Sequence, residues 1–334
     1  MSSSRENGVL IAIDDGHSHV KAILRGGNGV ERRVRFESSA RAGAMALVGL
    51  EGEESADVYL TEGQRYTVAP RRLLSDGLDT RTSDFPASPF NRVLVAHAIR
   101  QLGVKADAPL TIATGLPLKE WVSQDRPQRT QAKMANLATE VSSLSGWTRP
   151  AIASQTVLPE AISAYLAAIE RRIVTAGEPV AVIDIGGRTM DVAIIHFEGK
   201  RALIDRDKSG SDEIGALGVR DRLRGLLSQK FQLDHVPDLL LDQALETRKV
   251  RLFNREEDCA DLVSSAVHDV RTQAINAARH RIGQGATLSC VLLVGGGSHL
   301  LDLSGGWPHA QRIPDPEFAN AEGMMVRLAS GKQE

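Results

Sequence analysis

The chain is poor in cysteine, with two in 334 residues. Cys259 falls in a helical pattern and Cys290 opens an apolar strand, so no disulfide framework is expected, and a reducing compartment is. One-signed charge is also missing. With 40 Lys and Arg against 42 Asp and Glu, the net charge is −2, which removes any general pull toward nucleic acid. The pairs Arg32-Arg33, Arg71-Arg72 and Arg171-Arg172 read as solvated faces rather than grips on DNA. No run approaches the ~20 apolar residues of a membrane span. Residues Met1 to Asn7 are polar, are expected to fray, and lack the apolar centre of a secretory leader. The expectation is a protein of the cytoplasm, away from membranes.

What remains is an ordinary globular composition, 42% hydrophobic and 25% charged, on a chain long enough for two domains. One short phrase occurs in each half. Val9-Leu10-Ile11-Ala12-Ile13-Asp14-Asp15-Gly16 is an apolar strand ending in acid and glycine. Val180-Ala181-Val182-Ile183-Asp184-Ile185-Gly186-Gly187 repeats it. A second β-rich run follows each copy at once, Ser18 to Leu24 and Thr189 to Ile195. Strand, acid-glycine turn, strand is a hairpin pattern. Two such hairpins suit the gripping of one polyphosphate from opposite sides.

The chemistry follows from the residue types. A glycine turn lets backbone N–H groups approach an anion, because no Cβ intervenes. An acid at the strand end would repel a phosphate but suits a hydrated Mg²⁺. Lys21 supplies a point charge for phosphate. A single Asp-x-Gly after a strand is a common β-turn; it is the duplication that points to function. Gly295-Gly296-Gly297 after the strand Val291–Val294 is a third candidate, a bare backbone on which a flat ligand or phosphate can pack. It lacks the spacing of a dinucleotide fingerprint and the Lys-Ser/Thr of a P-loop. Glu160 begins a helix just after a strand, Ala151–Val157. A carboxylate there can orient a water toward a γ-phosphorus, although the helix dipole alone also favours glutamate in a first turn. His17 and His19 would share one face of a strand, but nothing suggests a third zinc ligand.

Elsewhere the pattern predicts a third strand over Gly29–Glu37, short strands at 57–60 and 64–68, and a loop at 85–90. Helices follow at 91–102 and about 128–144, with the strand Leu110–Thr114 between them. Pro159 suits the first turn of a helix reaching about Ile173. Beyond Gly177-Glu178-Pro179 come a strand at 201–205, a glycine-rich turn at 210–215 and helices at 216–231, to about 249, at about 257–282 and at 319–328. Alternating strands and helices predict α/β layers. The expected division is 1–175, with a small inserted subdomain at about 36–90, and 176–334, with the helix at about 319–328 packing back on the first domain.

Together these residues resemble the actin-like ATPases of the actin/Hsp70/sugar-kinase superfamily. Ile13-Asp14-Asp15-Gly16 through Lys21 looks like phosphate loop one, Asp184 through Asp191 like loop two, and Val294-Gly295-Gly296-Gly297 like the adenosine loop. Within the superfamily the chain is most similar to the plasmid-segregation ATPases of the ParM/StbA family. That similarity rests on Asp14-Asp15, on Gly115-Leu116-Pro117-Leu118 before Trp121, on Leu158-Pro159-Glu160 leading into Ala164-Tyr165, and on Phe318 to Gly323.

The resemblance implies an α/β, actin-like (ribonuclease H-like) two-domain fold, with ATP, or GTP, and Mg²⁺ in the cleft between duplicated domains. It implies that Asp14 and Asp184 serve the metal. Asp15, Gly16, His17, Ser18 and Lys21 from loop one would meet phosphate, with Gly186, Gly187, Arg188 and Thr189 from loop two. Glu160 and Asp184 would be catalytic, Glu160 positioning the lytic water, while Gly295, Gly296 and Gly297 hold adenosine. The segment from Ser211 to Gly218 falls where the family contacts ribose or base. Arg188 stands where loop two usually carries threonine or a small residue, and His17 and His19 replace smaller polar residues. These departures bear on rate and on ATP over GTP.

The implied function is an ATPase that adds head-to-tail into filaments and moves plasmid DNA in the bacterial cytoplasm. DNA would be held through a ParR-type adaptor on a centromere-like site, without direct nucleic-acid contact. Two alternatives share the fold: a small-molecule kinase, and a non-hydrolysing actin-like scaffold.

Overall fold

The computed structural model describes residues 9–26, 30–43, 57–70, 84–105, 109–199 and 201–331. The polar leader at 1–7, the Arg71-Arg72 pair, Gly29 at the head of the third strand and parts of the inserted stretch lie outside the described residues.

The apolar runs form buried strands. β1 (Val9–Asp15) pairs antiparallel with β2 (His19–Arg25), which pairs with β3 (Glu31–Glu37). A small second sheet is made from β4 (Ala40–Ala42), β5 (Asp57–Thr61) and β6 (Gln64–Val68). After α1 (Pro89–Gln101), the strand β7 (Leu110–Leu116) runs parallel to β1. Then come α2 (Leu118–Trp121), α3 (Arg126–Ala138), β8 (Ser142–Ser143), which joins the small sheet, and β9 (Ile152–Pro159), parallel to β7. The first large sheet therefore has the order β3-β2-β1-β7-β9.

After α4 (Ile162–Glu170) the plan repeats. β10 (Val180–Ile185) and β11 (Met190–Glu198) form the second hairpin, extended by β12 (Arg201–Ile204) and β13 (Gly210–Asp212), both on β11. Helices α5 (Ala216–Phe231) and α6 (Asp238–Thr247) precede a short hairpin, β14 (Lys249–Leu252) with β15 (Arg255–Asp258). The long α7 (Ala260–Ile282) leads to β16 (Cys290–Val294), parallel to β10, and β17 (Ala310–Arg312), parallel to β16. The order β12-β11-β10-β16-β17 matches that of the first sheet. Both sheets are an antiparallel triplet continued by two parallel strands, as a duplicated α/β unit requires.

The chain closes on α8 (Ala319–Ala329), which packs on α4 and on β1 and β7 of the first sheet. Ala321, Met324 and Met325 share a buried cluster there with Ala12, Ile23, Ala113 and Leu158. The two helices meet so closely at Gly323 that a Cβ there would collide with the Ser163 carbonyl.

Several elements differ from expectation. The polar helix ends at Ala138 rather than about 144, because 142–143 leave to pair with β5. Pro159 closes β9 instead of opening a helix, and α4 starts at Ile162 and ends at Glu170. The 85–90 loop holds a 3-10 turn and the start of α1, whose N–H at Asn91 donates to Ser88 Oγ. Lys249 and Glu257-Asp258, expected as the end of one helix and the start of the next, belong to a hairpin over 249–258 whose corner, Phe253 and Asn254, has positive φ at both residues. Cys259 just precedes α7, and 210–212 form β13.

Candidate functional site

The two acid-glycine turns face each other across one cleft of about 410 Å³, whose walls include Asp14, Gly16, His17, Ser18, Lys21, Glu160, Asp184, Asp191 and all of Gly186 to Thr189. In the first hairpin the register sets Asp14 opposite Lys21, and Lys21 Nζ donates to Asp14 Oδ2 at 2.9 Å. In the second, the equivalent register sets Asp184 opposite Asp191. One hairpin therefore carries a carboxylate and a cation at the matched positions, and the other carries two carboxylates.

The glycines are dictated by close approach. The Gly186 N–H donates to the Thr189 carbonyl at 2.8 Å, closing the second turn. A Cβ on Gly187 would lie 2.7 Å from Ser18 Oγ, so the two turns touch across the cleft. The first N–H groups of α5, at Ala216 and Leu217, donate to the carbonyls of Gly186 and Gly187, and Gly215 packs on Gly187 with no room for a side chain. The triplet 295–297 also lines the cleft. There the bare backbone is used first by the protein itself: a Cβ on Gly295 would collide with Asp184 and the Ile185 carbonyl, and one on Gly297 would lie 2.6 Å from Ile185 Cγ2. Gly296 has room, its nearest neighbour being Glu317 Cβ at 3.5 Å.

The electrostatics are unusual. Glu160, Asp14, Asp184 and Asp191 converge from β1, β10, β11 and the end of β9. Burial raises the Glu160 carboxyl well above its ordinary range, and Asp14, Asp191 and Asp184 push it the same way. Burial and then Asp14 raise Asp184 to about 6, against hydrogen bonds from Asn320 and the Ala161 N–H. Burial raises Asp191 to about 7, aided by Asp184 and opposed by the hydroxyl of Ser211. Burial works against the Lys21 ammonium, but Asp14, with Asp184 and Glu160 beyond, more than offsets it and raises its pKa. Four acids against Lys21 make a setting that favours cations. Among the described residues no three His, Cys, Asp or Glu side chains converge as a metal cage. Mg²⁺ fits such a setting, since it binds through one or two carboxylates together with water and phosphate oxygens.

Asp15, expected at phosphate, has another place. Its side chain turns away from the cleft into the core, 2.7 Å from Lys133 Nζ and 2.6 Å from Asn91 Nδ2, and accepts from the Gly115 N–H at 3.3 Å. Strand alternation explains this: Asp14 and Asp15 are neighbours, so their side chains leave opposite faces of β1. Lys133 also donates to the Gly115 carbonyl. Glu160 rests on Gly115, where a Cβ would lie 2.9 Å from its Oε1. His17 packs on Phe85 with ring centroids 5.3 Å apart, and His19 Nδ1 lies 3.1 Å from Ser18 Oγ. Arg188 Nη2 donates to Glu213 Oε1 at 3.0 Å on the rim. Ser211 bonds Asp191, while Ala216 and Leu217 line the wall.

Sequence reasoning passed over Asp191, Asn320 and Lys133. Counting across the second hairpin from Asp184 would have found Asp191. Asn320 lies within the Phe318 to Gly323 motif, which by itself gives it no role, and Lys133 carries no local signal. The same is true of Arg220, Asp238 and Asp242, which join the cleft from α5 and α6 as an ion-paired group.

Residues 9–171 match the model of the plasmid segregation protein ParM, N-terminal, and residues 182–304 match that of the archaeal actin homologue MreB-like, C-terminal. The chain superposes on an archaeal actin homologue, Ta0583, with a TM-score of 0.79 at 21% identity, covering 96% of this chain and 99% of that one. The fold is actin-like. A 15-stranded ParM filament from Clostridium botulinum gives a TM-score of 0.81 at 20% identity over 97% of this chain and 99% of the other. A non-polymerisable pCBH ParM mutant gives 0.79 at 21% identity over 97% and 100%. No curated protein matches this actin-like chain significantly in sequence. The resemblance to the ParM/StbA proteins is carried by its first half.

Proposed function

We propose that this actin-like protein is a nucleotide-driven filament protein of plasmid segregation. The observation that carries the proposal is the meeting of Asp14 and Lys21 from one hairpin with Asp184, Asp191 and Glu160 across a single cleft. The ParM match over residues 9–171, the similarity to a ParM filament subunit and the archaeal homologue solved with ADP support it.

In this reading 1–175 and 176–334 are the two lobes, and ATP, or GTP, lies between them. Asp14 and Asp184 would hold a hydrated Mg²⁺, which neutralises phosphate charge when bound. Lys21 and the backbone of Gly16, His17 and Ser18 hold phosphate from one side. Gly186, Gly187 and Thr189 hold it from the other, with Arg188, at the rim beside Glu213, adding a charge for a phosphate oxygen. Gly296, the roomiest of the triplet, takes the adenosine edge between Gly295 and Gly297. Glu160 orients the attacking water from a buried position among Asp14, Asp184 and Asp191, which with burial hold its carboxyl above the ordinary range.

A γ-phosphate that touches both turns favours closure. Closed subunits add head-to-tail through heterologous contacts, which do not close on themselves and so make filaments. Hydrolysis then removes the bridge and weakens the lattice. A net charge of −2 agrees with DNA held through a ParR-type adaptor in a bacterial cytoplasm.

Light scattering and electron microscopy with Mg-ATP or Mg-GTP test the proposal. Filaments that form with nucleotide and shorten as phosphate is released are expected. Phosphate transfer to an added metabolite without filaments would point to a kinase, and filaments without turnover to a scaffold.

A further inference from the structure

One amide side chain joins two parts of the cleft that come from opposite halves of the chain. Asn320, in the first turn of α8, donates from Nδ2 to Asp184 Oδ2 at 2.6 Å. Its Oδ1 accepts from the Ala161 N–H at 3.0 Å. Asn320 is buried, at 5% exposure.

Ala161 is no ordinary recipient. It follows Glu160 directly and has φ +63° and ψ −46°. The Ile162 N–H donates to the Glu160 carbonyl at 2.7 Å, two residues back. This is the rarer, strained form of γ-turn. A residue with a Cβ in such a conformation costs about 1–3 kcal/mol and persists only where its surroundings enforce it. The turn lies at the head of α4, where no side chain of α4's own supplies a cap. Asn320 provides that missing acceptor from another helix. Gly323, one turn further along α8, lets the two helices close to this distance.

We propose that Asn320 is a positioning residue that makes the γ-turn aiming Glu160 depend on Asp184, so that what Asp184 binds is felt at Glu160 across the cleft. This rests on the reading of Glu160 as the water-orienting group. Asp184 anchors the Nδ2 end of the amide. When that carboxylate turns toward a ligand, the Oδ1 end shifts against the Ala161 N–H, and the strained turn moves with it.

The Ala161 N–H also hydrogen-bonds Asp184 directly, so the paired change below, rather than Asp184→Ala by itself, separates a tie through Asn320 from that direct contact. Hydrogen exchange is followed in the full chain without nucleotide. Asp184→Ala is expected to speed exchange of the Ala161 amide by about tenfold or more, the loss of roughly one hydrogen bond, while amides of β1 and β10 keep their protection. Asn320→Ala should do the same. The paired change Asp184→Asn with Asn320→Asp swaps donor and acceptor, rebuilds both bonds and should restore slow exchange. Unaltered exchange in either single variant, or no restoration in the swap, overturns the inference whether or not nucleotide binds.

Steady-state kinetics give a second readout. Asn320→Asp keeps an acceptor for Ala161 but has no donor for Asp184. Its kcat for Mg-ATP should fall about tenfold with KM within about threefold of the parent. A raised KM with unchanged kcat argues against positioning and rejects the inference. A parent chain that binds no nucleotide rejects the proposed function instead, and the exchange result alone then decides the tie.

Discussion

Ser18 and Gly187, from turns 169 residues apart by their numbers, touch: a Cβ built on Gly187 would lie 2.7 Å from Ser18 Oγ and closer still to its Cβ. The two turns come this close only because position 187 has no side chain.

Gly187→Ala should pry the turns apart, because Ser18 meets the new methyl with a rigid Cβ rather than a flexible tip. Nucleotide affinity is expected to drop by at least about tenfold, as closure becomes harder. Titration with a fluorescent nucleotide checks this. Adding Ser18→Gly should recover most of the loss, and a double variant as weak as the single one would show that the contact does not govern closure.

Glu160→Ala should leave nucleotide binding and assembly in place but slow phosphate release by about 10²–10⁴-fold, the usual worth of a positioned acid-base group. Filaments of this variant would therefore persist. Turnover equal to the parent's would take Glu160 out of the chemistry.

Lys133→Met should be costly for stability. Lys133 is 2% exposed and 2.7 Å from Asp15, and its removal leaves a buried carboxylate facing only Asn91 and a backbone N–H. A loss of about 3–5 kcal/mol is expected, read as a lower midpoint in denaturant. Lys133→Met with Asp15→Asn should be milder than the single change, since the orphaned charge goes too.

The stability of the ligand-free protein should fall with rising pH. Asp184 and Asp191 have ordinary values of 3.8, raised on folding to about 6 and about 7. Between those limits the folded state binds more protons than the unfolded one. Their contribution is complete below pH 3.8 and disappears as pH passes through about 6 and 7. Thermal unfolding at about pH 4 and about pH 8, the two ends of that window, measures it. Asp191→Asn should flatten the profile, and equal slopes for parent and variant would contradict the assignment.

Much of the architecture was legible in the chain. Hydrophobic runs closed by Asp14-Asp15-Gly16 and Asp184-Ile185-Gly186-Gly187 marked both hairpins, because an apolar strand beside a glycine turn has few alternatives. The helix over Ala216–Phe231 was bounded as it stands. Less legible were places where tertiary contact overrides local preference. Pro159 looks like a helix opener, yet pairs at the end of β9 with Leu116. Residues 249–258 look helical at both ends, yet turn at Phe253 and Asn254.

By itself the sequence determined the duplicated plan, the two acid-glycine turns and the presence of Lys21 and Glu160, since these follow from spacing within single strands and turns. Only the tertiary structure decided which of Asp14 and Asp15 faces the cleft, that Asp191 joins the acids, and that Asn320 reaches from the last helix to both Asp184 and Ala161. Those outcomes depend on which face of a strand is buried and on helices brought together from distant parts of the chain. Such long-range packing leaves no periodic mark in the residues that take part in it.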